Sequence, residues 1–322
     1  MAVVFAGHDQ RMKRFGFLLL PQFSHLSFVS MTEPMRIANR LSGEKKFEWV
    51  YYCLDDAPAQ ASDGMQFTPH RSMGDTDDLD VLIVVAGLLV GTDLPDSVYK
   101  WLRGLARAGK VLGSTSSGSY VLANAGVLRG RTCTVHWDQR SGFMERFPSV
   151  FLSNNLFEFS DKRWTCSGGA AGLDFTLEII RREFGEVLAK SVAEQCVHPH
   201  IRGAHDQQQM SPISRYNIHN PRLLQAVTLM EEHIESPMTI DQIANQSSVS
   251  KRHLERLFDQ HLGHRPARFY TELRLGHAQK LLRQTTLPVA EVAILSGFST
   301  TSYFTRRYKG HFGKSPKDDR IE

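Results

Sequence analysis

Two stretches near the end of the chain are copies of one another. TIDQIANQSSVSKRHLERLFDQHLGHRP (239–266) and PVAEVAILSGFSTTSYFTRRYKGHFGKSP (288–316) align almost without gaps. Ile243-Ala244 matches Val292-Ala293, Val249-Ser250 matches Phe298-Ser299, Leu254 matches Phe304, Phe258 matches Tyr308, and Pro266 matches Pro316. A duplication this close means one supersecondary unit used twice. The residues specify that unit: a short helix with a small Ala that lets a second helix cross closely, a tight turn, and a Ser that caps the second helix. The second helix turns Leu254, Leu257 and Phe258 inward in one copy, and Phe304 and Tyr308 in the other.

The opposite faces of these helices carry cations and hydroxyls. They are Lys251, Arg252, Glu255 and Arg256 in the first copy, and Thr300, Thr301, Ser302, Thr305, Arg306 and Lys309 in the second. Such a face suits a major groove, where Arg reads guanine edges, Ser or Thr reads either base type, and Glu accepts from cytosine N4. Charge agrees. Between Ser250 and Lys317 there are 13 Lys and Arg against 4 Asp and Glu, although the whole chain carries only +4. A basic end on a near-neutral body is the distribution expected when one end meets a polyanion, here double-stranded DNA. The competing reading is a pair of helical hairpins with solvated outer faces.

Up to about residue 195 the pattern is different. RFGFLLL, FEWVYYCL, VLIVVAG and KVLGSTSS are short apolar runs closed by Gly, Pro, Ser or Asp. They alternate with helical stretches such as SVYKWLRGLARAG, GSYVLANAGVL and AGLDFTLEIIRREFG. Continuously apolar strands between helices predict an α/β front domain with a mostly parallel sheet covered on both faces. VFLSNNLFEFSDKRWTCSGG reads as a hairpin turning at Ser160-Asp161-Lys162. From 198 the sequence becomes polar and aperiodic, so 1–197 is read as the front domain, 198–219 as a linker and 220–322 as an all-α domain. In NPRLLQAVTLMEEHI, Pro221 opens a helix whose inward face is expected at Leu224, Val227, Met230 and Ile234.

Several classes are excluded. The apolar run Phe15 to Leu20 is far shorter than the ~20 residues that span a bilayer. The N-terminus also lacks a signal peptide's order of basic, apolar and small residues, so no membrane association and a cytoplasmic location are expected. Cys53, Cys133, Cys166 and Cys196 are scattered with no C-x-x-C pair. They are read as buried thiols; no metal site, disulfide framework or cofactor is expected.

Residues 222–318 resemble the DNA-binding domain of AraC/XylS-family transcription regulators, in which two helix-turn-helix units are joined by a long helix, here ARFYTELRLGHAQKLLRQT (267–285). SGFSTTSYFTRRYKGHFGKSP matches that family's signature around the second unit. The resemblance implies base reading by Arg252, Glu255, Arg256, Thr301, Ser302 and Arg306. It implies phosphate contacts by Lys251, Arg307 and Lys309, with packing of Arg307 against the linking helix as the alternative. Two such helices address successive major-groove faces about one helical turn apart.

The front of the chain resembles the PfpI-like, class I glutamine-amidotransferase-like domain, a flavodoxin-like fold. The resemblance rests on PQFSHLSFVSMTEPMRIANRLSG, the VVAG turn ending at Gly87, AGVLRGRTCTVHW and CSGGAAGLDFTLEII. Fused to an AraC-type domain this is the GlxA-like branch of regulators, and EPMRIANRLSG looks most like its regulators of carnitine, glycine betaine and related quaternary-amine catabolism. The resemblance implies a homodimer formed through the front domain and an activator; RNA polymerase is a further partner it allows.

LGSTSSGSYVLANAGVLRG (112–130) has the form of a catalytic turn, a strand running through small residues into a helix. Enzymes that share the resemblance place a Cys at this elbow, with a Glu from the first helix and a His after the next strand. The matching residues here are Ser116, Glu33 and His136. A hydroxyl has a far higher pKa than a thiol, and G-x-S-x-G is absent because Ser114 stands at its first glycine. No catalytic residue and no enzyme are therefore expected. What remains is a pocket of Glu33, Gly87, Ser116, Ser117, Gly118, His136 and Trp137. Backbone N–H groups and serine hydroxyls would hold a carboxylate, while Glu33 and the face of Trp137 would meet a quaternary ammonium. The function read is a DNA-binding regulator controlled by a small zwitterionic effector. The alternatives are a DNA-tethered hydrolase acting through Ser116, and a ligand-independent DNA binder. In the plain packing alternative, Glu33 pairs with an arginine and Trp137 belongs to the core.

Overall fold

The computed structural model describes residues 11–54, 57–75, 78–87 and 94–320. The first ten residues, part of the stretch read above for a leader, lie outside them. The chain divides into two compact units, Met1–Gln208 and Gln209–Glu322.

The first unit runs β1 (Lys13–Leu19), α1 (His25–Ser42), β2 (Phe47–Cys53), β3 (Ala59–Gln60), β4 (Gln66–Phe67), β5 (Val81–Val85), α2 (Asp96–Arg107), β6 (Val111–Thr115) and α3 (Gly118–Asn124). It continues with β7 (Thr132–Cys133), α4 (Arg140–Arg146), β8 (Phe151–Leu152), β9 (Phe157–Ser160), β10 (Arg163–Cys166), α5 (Ala171–Phe184) and α6 (Glu186–Gln195). A six-stranded sheet of order β2-β1-β5-β6-β10-β9 is parallel except at β9, which pairs antiparallel with β10 across a turn at Asp161. This is the expected α/β architecture, hairpin included.

Side chains alternate between the two faces of the sheet, which gives the unit two cores. Phe15, Phe17, Leu19, Ile83 and Val85 face one core with α1, α5 and α6. Leu18, Leu82 and Val84 face the other with α2 and α3. Because both faces are covered, β5 is buried along its whole length. The C-terminal ends of β5 and β6 are left as the place where loops can build a site.

The second unit comprises α7 (Pro212–Tyr216), α8 (Pro221–Glu232), α9 (Ile240–Gln246), α10 (Lys251–Leu262), α11 (Pro266–Gln284), α12 (Val289–Leu295) and α13 (Thr301–Phe312). The repeats fold as α9–α10 and α12–α13. The long helix α11 serves both copies, giving Phe269 and Tyr270 to the first core and Leu275, Ala278, Leu281 and Leu282 to the second. Helix α8 buries Leu223, Ala226, Val227 and Met230. This corrects the expected face: Asn220 caps the start, Leu224 is only partly covered, and the helix ends before Ile234.

The polar stretch 198–219 is anchored at both ends. Asp174 of α5, fully buried, accepts from His198 Nε2 at 2.7 Å, from the Arg202 N–H at 2.9 Å and from the Arg202 guanidinium at 2.6 and 2.9 Å. At the other end Ile218 is buried in the core of the second unit.

Candidate functional site

Strand β6 ends at Thr115, and the chain enters α3 through Ser116, whose φ of 60° lies in the left-handed region. A non-glycine residue there is strained, and such strain is held in place only by its surroundings. The Ser116 N–H donates to the Cys166 carbonyl at 3.0 Å. Gly168, at φ 97°, passes so close that a Cβ on it would lie 2.9 Å from both Cα and Cβ of Ser116.

The three serines of the bend have different roles. Ser119 donates to the Thr134 carbonyl at 2.7 Å, so Ser114 must donate to Ser119, 2.8 Å away. Ser117 donates to the Gly87 carbonyl. Both hydroxyls therefore hold the fold together. Among the described residues no side chain hydrogen-bonds the Ser116 hydroxyl, which leaves it as the hydroxyl available at the elbow. Gly87 and Gly118, read from sequence as ligand contacts, meet a packing demand: a Cβ on Gly87 would run into the Gln22 carbonyl, and one on Gly118 into the Val84 carbonyl.

Helix α3 also fixes the second wall. Besides the bond from Ser119 to Thr134, the Tyr120 hydroxyl donates to the Gln139 carbonyl at 2.9 Å, locking the turn Trp137–Gln139 to the elbow helix. His136 precedes that turn and accepts the Asp138 N–H on Nδ1 at 3.3 Å. The Trp137 ring lies 5.3 Å from the His136 ring and is 37% exposed, so it stands outside the core.

Glu33 does not join this arrangement. Helix α1 meets the elbow loop through Ser27, which accepts the Gly169 N–H at 2.8 Å, and Ser30, which donates to the Gly169 carbonyl at 2.9 Å. Glu33, further along α1, has a half-exposed carboxylate that accepts from Nε and Nη2 of Arg36 at 2.9 and 2.5 Å. Those hydrogen bonds keep it below the usual carboxylate range. A cation one turn away on its own helix thus satisfies Glu33, as in the plain packing alternative.

Arg140 was not among the residues expected at the site. It begins α4 four residues after His136, is partly buried, and donates to the Ser153 carbonyl. Among the described residues no carboxylate pairs with it, and burial lowers its pKa from the ordinary guanidinium value. The nearby thiols are buried, and burial pushes Cys133 and Cys166 up to about 12, which disfavours the thiolate.

In the second unit α10 and α13 present the expected faces. Lys251, Arg252, Glu255 and Arg256 are exposed over buried Leu254, Leu257 and Phe258. Thr301, Ser302, Arg306, Arg307 and Lys309 are exposed over buried Phe304 and Tyr308, with Thr305 partly covered. A groove of about 800 Å³ along α10 is lined by Arg252, Glu255 and Arg256, and also by Arg265, which the sequence reading did not single out. Lys251 pairs with Asp241 at 3.0 Å, and the Arg306 guanidinium lies 5.6 Å from the Tyr303 ring centre.

Two placements differ from expectation. Ser250 caps α10, but the second copy carries one extra residue before its helix, so Thr300 rather than Ser299 caps α13 by accepting the Tyr303 N–H at 3.2 Å. Thr300 thereby has a structural task besides the reading role assigned to it. The arginine packed between α11 and the second copy is Arg274, not Arg307. It donates to the Ser296 and Gly297 carbonyls at 3.0 and 2.6 Å and lies 4.2 Å from the Phe298 ring.

Comparison with known proteins agrees with both halves. The DJ-1/PfpI family model matches residues 16–182, and a helix-turn-helix domain model matches residues 243–321. The HTH-type transcriptional regulator CdhR of Pseudomonas aeruginosa is 40% identical over 306 residues, 95% of this chain and 91% of the relative. The HTH-type transcriptional regulator GlxA of Rhizobium meliloti is 33% identical over 314 residues, 97% of each chain. A crystal structure of an AraC family transcriptional regulator from Pseudomonas putida is 28% identical, with a TM-score of 0.54 over 57% of this chain and 99% of that one. An α/β front unit with a non-cysteine elbow, joined to a duplicated helix-turn-helix unit, defines a DNA-binding regulator of transcription. The chain belongs to the GlxA-like HTH-type transcriptional regulators, which combine a DJ-1/PfpI domain with an AraC-type DNA-binding domain. Among its described residues no helix is long and apolar enough to cross a membrane.

Proposed function

We propose that this regulator activates transcription when a small zwitterionic metabolite occupies the elbow of the front unit, and that the front unit binds the metabolite without transforming it. The observation that carries the reading is Ser116: a hydroxyl in strained elbow backbone, with no described side chain placed to take its proton. An unactivated serine is a weak nucleophile at neutral pH but a good hydrogen-bond partner. Arg140, partly buried and without a carboxylate partner among the described residues, is suited to the metabolite's anionic end. The partly exposed Trp137 ring is suited to a quaternary ammonium, a contact of about 0.5–2 kcal/mol. Glu33 has no part in this version of the site.

Binding would act by population shift, favouring the state in which α10 and α13 engage successive major grooves. Homodimerisation through the front unit and contact with RNA polymerase complete the proposal. A thermal-shift screen of glycine betaine, carnitine, amino acids and polyamines tests it. A ligand at a hundredfold excess over its dissociation constant adds about 2.7 kcal/mol of stability. No response from any compound would favour the ligand-independent binder, and turnover abolished by Ser116→Ala would establish the hydrolase.

A further inference from the structure

The front unit has a charged face that neither the elbow nor the helix-turn-helix copies use. Three separate stretches meet there: the C-terminal end of α2, the turn before β7, and the turn between β9 and β10. Lys162 Nζ comes within 3.2 Å of where a Cβ on Gly109 would lie, just past α2. Arg163 Nε donates to the Val127 carbonyl at 3.0 Å. Arg131 lies 3.4 Å from Asp161. Arg107, Arg129, Arg131, Lys162 and Arg163 are thus gathered at one end of the unit, and Asp161 is the sole carboxylate in these stretches.

Elsewhere at the same level of the sheet the charges alternate in sign. Asp78, Asp80 and Glu48 are engaged by Arg11, Arg14 and Arg71. On the face in question they repel: burial and the facing charge of Arg131 both depress Arg163 below its ordinary guanidinium value. The exposed stripe continues up α2 through Arg103 and Lys100, for which no carboxylate partner occurs among the described residues. Like charges brought together from three elements cost stability unless a polyanion meets them.

We infer that this face is a second, sequence-indifferent contact for DNA phosphates, used when the helix-turn-helix copies hold the duplex. The chain's own DNA-binding activity supplies the polyanion, and the covalent connection supplies the concentration: a tethered surface meets flanking duplex at an effective concentration that makes even weak contacts count. Phosphate contacts of this kind position a protein without reading sequence. The inference does not depend on which effector the elbow binds.

The test uses the full chain and arbitrary-sequence duplexes. Two helices one turn apart occupy about 20 base pairs, so a duplex of about 60 provides flanks that the shorter one lacks. The triple variant Arg107→Gln/Arg129→Gln/Lys162→Gln removes exposed cations only, and tryptophan fluorescence checks that its front unit is folded. For wild type, log affinity against log salt should be steeper on the long duplex than on the short one. The variant should lose that excess, about 0.9 in slope for each phosphate contact removed. Lys309→Gln should flatten the slope on both duplexes. An unchanged long-duplex slope in the triple variant overturns the inference. Loss of binding to phosphatidylserine vesicles with an unchanged DNA slope would also overturn it, assigning the face to a lipid surface instead.

Discussion

Gln208 Nε2 donates to Thr134 Oγ1 at 2.9 Å, and to the carbonyls of Asn155 and Val135 at 2.8 and 3.2 Å. The last residue of the first unit is therefore fastened to the strand end that delivers His136, and the next residue begins the second unit. Under the function proposed above, a metabolite beside His136 would act on the segment that continues into the second unit. Gln208→Ala removes these bonds, and at about 0.5–1.5 kcal/mol for each of the amide's two N–H groups the front unit should lose roughly 1–3 kcal/mol. Amide exchange at 134–136 and 204–208 should quicken, while any effector-induced thermal shift persists and its influence on DNA binding falls. Unaltered exchange at these positions would rule out the fastening.

Gly118→Ala tests the elbow's packing with little change in backbone preference, since Gly118 opens α3 with an ordinary negative φ. The added Cβ would run into the Val84 carbonyl, a backbone group that cannot rotate aside. Overpacking of this kind costs about 1–3 kcal/mol, and a rigid neighbour places the change at the upper end. Trp49, Trp101, Trp137 and Trp164 all lie in the first unit, so the shift in its denaturation midpoint is readable by tryptophan fluorescence alone. A midpoint within error of wild type would show that α3 stands off from β5.

The duplicated helices and the alternating front were legible because both write their burial periodically into the sequence. Leu254, Leu257 and Phe258 recur at helical spacing, and the strands of a sheet covered on both sides read as unbroken apolar runs. The elbow was legible because small residues bridging a strand and a helix have few uses. The Glu33–Arg36 pair was open to the sequence as the packing alternative, because residues three apart on a helix are neighbours, whereas a match along one helix does not fix which way the helix is turned. Gln208 and Asp174 left no trace, since their partners are 74 and up to 28 residues away and no local pattern announces a long-range bond. The cap of α13 was placed one position early, at Ser299, because a single inserted residue moves it to Thr300.

Arg306 and Lys309 separate base reading from phosphate contact on one helix. Both are exposed on α13, but Arg306 lies in its first half, the part that enters a groove, and Lys309 in its last turn. Arg306→Ala should cost about 1–3 kcal/mol on the cognate site and relax preference at one base position. Lys309→Ala should weaken cognate and random duplexes alike and lower the salt slope by about one. Binding titrations across a substituted operator set distinguish the two. Equal losses from both variants on every duplex would remove Arg306 from base reading.

His277 gives the second unit a pH dependence of predictable sign. Burial on α11, reinforced by the charge of Lys280, pushes its imidazole down to about 4, whereas an unfolded histidine titrates near 6.5. Between those values the unfolded chain binds the extra proton, so stability rises with pH through this window. The contribution is fully present above about 6.5 and is lost as pH falls toward 4, up to about 3 kcal/mol across the interval. Asp319 acts lower still. Burial alone would raise its carboxyl, but Lys314, Gln279, Tyr308 and Arg283 outweigh that and hold it far below the usual carboxylate range, so its contribution fails only after that of His277. Far-UV circular dichroism of unfolding from pH 4 to 7 should therefore show a slope that His277→Gln flattens and Asp319→Asn leaves in place. A slope unaffected by His277→Gln would mean that the imidazole is solvated in the folded state and that α11 is less closely packed around residue 277 than the structure shows.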